Sequence, residues 1–224
     1  MADLADLPQR LEGANVSAPL QTALFLGAMA LIPAALVTLT SFTRIIIVLS
    51  FVRRAVTSQD IPSNLVLVGL SLYLTLFTMG PTLEKINDRA LTPYLDKKLT
   101  TSQALKEGGK CLHEFMRRHT RKQDLALFLH MSGTPAPEKP EDTPFLTLAP
   151  AFLISELKTA FIMGFCIFLP FLLIDVVVAS VLTSMGIVLL PPALISSPLK
   201  VLLFVLANGW HLIAYALGMS FQTG

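Results

Sequence analysis

The sequence predicts an all-α, membrane-associated protein built from two Pro-broken helical hairpins with a small polar helical insert between them. Three observations carry that expectation. Four long apolar stretches occupy most of the 224 residues. The hydrophobic share of 53% and charged share of 14% fall on the membrane side of the roughly 45–50% and about 25% of soluble domains. Most of the remaining charge, of both signs, gathers between the second and third stretches.

Residues 1–19 form a polar N-terminal segment with Asp3, Asp6 and Glu12. A secretory signal would open on a basic region and a short apolar core, and neither is visible. Membrane entry is then directed by the chain's own segments or by a leader upstream of them. The first hairpin, residues 20–83, begins with an apolar run from Leu20 to Val52, longer than the roughly 20 residues that cross a hydrocarbon core. Pro33 and Arg44 interrupt it, which predicts a kinked or two-part helix. Asp60-Ile61-Pro62-Ser63 supplies turn and N-cap chemistry before the second run, Leu65–Met79, which is expected to end at Gly80-Pro81.

Residues 84–143 form the insert. Thr100 precedes Gln103, and Thr120 precedes Gln123, each at the spacing of a capping box that satisfies free N–H groups at a helix start. From Ser132 to Thr143 the chain is rich in Pro and charge and reads as a linker. The second hairpin, residues 144–224, holds a run from Phe145 to Met185, with a break expected at Pro170. The stiff turn Leu189-Leu190-Pro191-Pro192 follows, then a run from Ala193 to Phe221, with a further break expected at Pro198. Arg53 and Arg54, in a short loop, favour the cytoplasmic side and leave both termini and the insert outside.

Five charges stand inside the apolar runs: Arg44, Glu156, Lys158, Asp175 and Lys200. An ionised side chain at the bilayer centre costs about 2.5–3.5 kcal/mol on insertion scales, so each needs a partner, water or a site outside the bilayer. Arg44 is expected to pair across hairpins or across chains, with Glu156 as first choice and Asp175 as second. Glu156 and Lys158 sit two residues apart, about 200° around a helix, so they face away from each other. Lys200 has Asp175 or the carbonyls of the Pro191-Pro192 turn within its expected reach, and a proton relay is the functional alternative. His211, beside Trp210, reads as a core residue rather than a ligand.

The net charge of +2, with no long block of one sign, gives no electrostatic basis for binding nucleic acid. Cys111 and Cys166 lack the spacing and companions of a redox or zinc site. No P-loop, Ser/His/Asp arrangement or metal-ligand cluster is present in the sequence, so neither an enzyme nor a cofactor is expected.

Two long blocks carry a family resemblance. Pro33-Ala34 followed by Thr40-Ser41-Phe42-Thr43-Arg44-Ile45-Ile46-Ile47-Val48-Leu49-Ser50-Phe51 resembles a signature of the FliP family of type III secretion export proteins. Ser155-Glu156-Leu157-Lys158-Thr159-Ala160-Phe161 with Phe168-Leu169-Pro170-Phe171-Leu172-Leu173-Ile174-Asp175 is similar to its second. Pro191-Pro192 through Pro198-Leu199-Lys200 to Gly209-Trp210 resembles its close. The insert from Thr120 to Phe128 is more similar to flagellar members than to injectisome homologues.

The resemblance implies a homo-oligomeric, pore-forming export-gate subunit at the bacterial inner membrane, at the flagellar basal body. It further implies FliQ-like and FliR-like partners, other export apparatus proteins, unfolded protein substrates, and an assembly lying largely on the periplasmic side. In such an assembly Met185, Ile187, Val188 and Leu189, at a helix end before a rigid turn, have two readings: a ring that seals a pore by dewetting, or ordinary packing. Family members typically carry Met where Ile187, Val188 and Leu189 stand. Ile and Val are stiff where Met adapts, which favours a plain apolar seal over a deformable gasket. Asn208 also replaces an Asp found in many members. The reading from another class is a small ion-coupled transporter with Asp175 and Lys200 at its midplane site, for which four apolar segments are few.

Overall fold

A computed structural model describes residues 18–56, 61–133, 137, 142–187 and 189–222, and among them the chain is helical with no strand. The all-α expectation is met. The helices are α1 (Ala18–Leu39), α2 (Phe42–Val56), α3 (Asn64–Ile86), α4 (Thr92–Leu95), α5 (Thr101–His119), α6 (Lys122–Met131), α7 (Phe145–Ser184), α8 (Ala193–Leu206) and α9 (Gly209–Gln222). A π-helical turn, Asn87–Leu91, joins α3 to α4. The polar N-terminal segment lies almost wholly outside the described residues, as do Asp60 and most of the Pro-rich linker.

Helices are separated at the Leu189-Leu190-Pro191-Pro192 turn and around Pro62, as expected, but not at the other prolines expected to break them. Pro33, Pro81, Pro170 and Pro198 all lie inside helices, and α7 runs without interruption for 40 residues. An interior proline costs one backbone hydrogen bond, and apolar helices tolerate this where neighbouring groups satisfy the freed carbonyl. The chain breaks instead at Thr40-Ser41 and at Ala207-Asn208. Ser41 leads α2, its carbonyl accepting from Ile45 N–H at 3.2 Å while its hydroxyl bonds Thr78 Oγ1 at 2.7 Å. Asn208 takes φ +51°, a left-handed conformation that Asn and Asp adopt more readily than other side chains. That requirement suits an Asn at this position. Asn208→Val is expected to cost about 1–2 kcal/mol and Asn208→Gly much less, read as shifts in the unfolding midpoint.

Among the described residues, contacts divide the chain into two compact units. One combines residues up to Thr40 with Met79–Ser155, and the other Ser41–Thr78 with Glu156 onward. In the first unit the predicted capping box at Thr100 forms: its hydroxyl accepts from Gln103 N–H, and Gln103 Oε1 accepts from Thr100 N–H. Helix α5 then buries Cys111, Phe115 and Met116 on one side. Phe115 meets Phe152 edge to face at 5.9 Å, and Leu148 and Ala151 on the same stretch of α7 are buried as well. Gly108 lies close beneath the π-helical turn, where an added Cβ would still find ordinary contact with Ala90 and Ile86.

The second expected capping box does not form. Thr120 ends α5, donating its hydroxyl to Met116 O at 2.7 Å, and Arg121 takes the N-cap position of α6. Ser155 substitutes for a cap: its hydroxyl accepts from Arg121 N–H at 3.0 Å and donates to the buried Asp124 carboxylate at 2.8 Å. Asp124, in the first turn of α6, also sits where the helix dipole favours an anion.

On the surface of the same unit, Glu114 receives Lys85 at 3.4 Å and Arg118 one turn on. Burial raises the Glu114 carboxyl, but the charges and hydrogen bonds of Lys85 and Arg118 outweigh it and hold the group below the ordinary Glu range. A lowered folded-state pKa stabilises above the unfolded value, and that contribution disappears as pH falls through the folded one. Acidification past the carboxylate range is therefore expected to lower the melting midpoint less in Glu114→Gln than in the parent chain, as followed by circular dichroism.

Candidate functional site

In the second unit, α2 presents Ile45, Val48, Leu49, Val52 and Ala55 to a core that also takes Leu67, Ala160, Phe171, Phe204, Ile213 and Leu217. The spacing of the α2 residues puts them on one helical face. Close approach of α2 to α7 depends on Gly164, where a Cβ would lie 2.5 Å from the Phe51 ring. Phe51 and Phe161 pack edge to face beside it, with centroids 5.5 Å apart.

Arg44 is enclosed in this core. Its residue is 4% exposed and Glu156 is 0% exposed. Arg44 Nε donates to Glu156 Oε2 at 2.9 Å and Nη2 donates to Oε1, a two-pronged pairing suited to the planar guanidinium. Nη1 donates to Ser220 O at 3.0 Å and to Ser220 Oγ at 2.9 Å. The Phe221 ring covers the guanidinium, 3.8 Å from carbon to ring centre. All this lies within one chain, between α2, α7 and the C-terminal turn of α9.

Of the other charged candidates, Lys200 Nζ donates to Asp175 Oδ2 at 2.6 Å, the lysine 13% and the aspartate 37% exposed. These two groups are thus engaged with each other at the side of the helices. The Pro191-Pro192 turn is not needed as a partner. Lys158 is exposed on α7 and forms no ion pair among the described residues. Its two-residue offset from the buried Glu156 turns it outward, which removes the need for a partner of its own. His211 is exposed and stacks on Tyr215 at 6.5 Å rather than entering the core.

Sequence reasoning missed Ser220 and Phe221, which complete the enclosure of Arg44, and Ser155 with Asp124. Only the last left a trace, an acidic residue in the first turn of α6. Cys111 is buried in the first unit and Cys166 exposed on α7. Among the described residues, no group of three His, Cys, Asp or Glu is placed to hold a metal ion.

The end of α7 is closed by a glycine cap. Gly186, at φ +75°, donates its N–H to Thr183 O at 3.0 Å, and Ile187 N–H reaches back to Leu182 O at 3.0 Å. This is the Schellman pattern, which requires a left-handed residue at the position Gly186 occupies. The capped turn leaves Met185, Ile187 and Leu189 exposed, Leu189 at 99%. Val188 lies outside the described residues. Where α8 turns by 62° into α9, Phe204 sits against Gly209 and meets Trp210 edge to face at 5.3 Å.

The outer faces of these helices are apolar and uncovered: Phe161, Phe165, Leu173, Val177, Val205 and Leu206 are all exposed. Two helical stretches, Asn64–Leu95 and Phe145–Ser184, are long and apolar enough to cross a membrane, and up to four are if each of two broken pairs is one span.

Known sequences are similar to the chain over most of its length. The FliP family model matches residues 25–217. The chain is 51% identical to the flagellar biosynthetic protein FliP of Bacillus subtilis (strain 168), over 92% of this chain and 94% of the relative. The FliP of Pectobacterium carotovorum subsp. carotovorum is 46% identical over 94% of this chain and 82% of its own. That of Aquifex aeolicus (strain VF5) is 43% identical over 93% and 88%. With the motifs around Arg44, Glu156 and Lys200 inside the matched region, the chain belongs to the FliP family.

Proposed function

We propose that this chain is a core, non-enzymatic subunit of the flagellar type III protein export gate in the bacterial inner membrane. It assembles with further copies of itself and with FliQ-like and FliR-like subunits, and unfolded proteins pass through the resulting pore. The flagellar rather than the injectisome reading follows the names of the relatives. The observation that carries the pore reading is the inversion of ordinary surface chemistry: Arg44 and Glu156 are buried while large apolar side chains cover the outside. Contiguous apolar surface on this scale marks contact with lipid or protein.

Helix α7 adds a length argument. Forty residues make a helix roughly 60 Å long, about twice the 30 Å hydrocarbon core, so much of it needs cover other than lipid tails. An assembly lying mostly on the periplasmic side, with neighbouring subunits as cover, meets that need. The ion-coupled transporter is less favoured, because Asp175 and Lys200 are committed to each other.

Within the gate, the proposed constriction is a ring of Met185, Ile187, Val188 and Leu189 from several copies. An exposed apolar turn stiffened by a glycine cap suits a seal that works by expelling water from a narrow neck. Arg44, Glu156, Asp175 and Lys200 hold the shape of each subunit for assembly, with Lys158 available on the outside to meet a neighbour.

The test is co-expression with the FliQ-like and FliR-like proteins in cells lacking their own FliP. The expected result is a large complex by mass measurement, restored motility, and raised ion conductance when Ile187 and Leu189 are replaced by Gly. A monomer that neither joins a complex nor restores motility overturns the gate reading. Normal assembly with unchanged conductance in the Gly variants removes the constriction alone.

A further inference from the structure

A polar cleft of about 670 Å³ in the first unit lies along one face of α5. Lys106, Lys110, His113 and Arg117 follow one another at spacings of four, three and four residues, so all four come to the same side. Arg89 faces them from the π-helical turn, and Phe145 forms part of the wall. The acidic groups of the lining are Glu114 and Asp142. Glu114 is already shared by Lys85 and Arg118, and Lys110 is paired with Glu107. Arg89, Lys106 and Arg117 have no carboxylate partner among the described residues. His113 donates through Nε2 to Thr143 O at 2.7 Å, which steadies the wall beside the cations.

We propose that this cleft binds the phosphate of an anionic phospholipid headgroup, held by Arg89, Lys106 and Arg117. Two guanidinium groups and an ammonium converging on one polar hollow offer several charge-assisted hydrogen bonds to phosphate oxygens. The lipid origin follows from Phe145, which is half exposed, lines the cleft and opens the longest apolar helix, with the exposed Leu146 next to it. Acyl chains leaving a phosphate seated there have apolar surface to follow, which a free anion does not require. Basic groups close to an anionic leaflet are attracted to such headgroups. The inference concerns the chain while the start of α7 lies at a membrane surface, before neighbouring subunits cover it.

The test reconstitutes the full chain in phosphatidylcholine nanodiscs doped with phosphatidylglycerol and measures retained lipid per chain by mass spectrometry. The expected result is preferential retention of phosphatidylglycerol. It falls roughly a hundredfold in R89Q/K106Q/R117Q, at about one factor of five per cation, and persists in K97Q/K98Q/K122Q, which removes equal charge outside the cleft. If the triple variant loses its helical signal, Lys106→Gln alone, at an exposed position, is expected to lower retention about fivefold. Equal retention of the two lipids by the parent chain, or undiminished retention in the cleft variants, overturns the proposal. Displacement by inorganic phosphate or by an acidic peptide at concentrations below that of the lipid also overturns it, in favour of a soluble anion or a protein partner.

Discussion

Arg44→Met is expected to destabilise the second unit by about 3–5 kcal/mol, the cost of breaking one partner of a buried ion pair. The loss comes from Glu156, which is fully buried and would be left short of the two N–H donors that now hold it. Glu156→Gln is expected to cost less, because Arg44 keeps Ser220 and the Phe221 ring on its other side. Replacing both at once, Arg44→Met with Glu156→Leu, is expected to recover most of the stability, since an apolar pair avoids desolvating two charges. The charge swap Arg44→Glu with Glu156→Arg should recover only part, as Ser220 O offers no proton to a carboxylate. Denaturant unfolding of the detergent-solubilised chain, followed by circular dichroism, reads all four. A double apolar variant as unstable as Arg44→Met would mean that packing volume, not the ion pair, holds this region.

Phe204→Ala is expected to cost a further large amount, about 3–5 kcal/mol, because the ring fills the corner between α8 and α9 and is nearly buried. It contacts Phe171 at 6.4 Å and Trp210 at 5.3 Å, centroid to centroid, and lies directly over Gly209. A Cβ built on Gly209 would come within 2.3 Å of the ring, so Gly209→Ala alone should cost about 1–3 kcal/mol through overpacking. In the Phe204→Ala background the same change should cost far less, because the atom it strikes is gone. That coupling, measured as a double-mutant cycle, separates contact with Phe204 from any helix-propensity effect of the glycine. Strictly additive losses would show that the tight approach does not govern this corner.

Both predictions concern residues whose importance was unequally visible in the sequence. Arg44 and Glu156 stand out in apolar runs, since a charge there is costly anywhere and must be answered somewhere. Gly209 and Phe204 do not stand out, because their relation depends on a bend of 62° at Asn208 that no local pattern announces. The prolines misled for a related reason. They are the strongest local breakers, yet Pro170 sits exposed in the middle of α7, and the helix gives up one hydrogen bond there without breaking. Thr120 misled in the same way: it has the capping-box spacing, but its hydroxyl bonds back to Met116 O and Arg121 takes the N-cap position, its N–H held by Ser155 from far along the chain.

By itself the sequence determined that the chain is helical, that its apolar stretches need a bilayer or protein partners, that five charges lie within them, and to which family it is similar. These are properties of composition, period and motif, and they are local. Tertiary structure alone decided that Arg44 meets Glu156 with Ser220 and Phe221 closing around it, that Lys200 answers Asp175, and that Lys158 turns to the surface. Pairing depends on which helix faces come together after folding, and that is settled by packing between residues more than a hundred positions apart, such as Arg44 and Glu156.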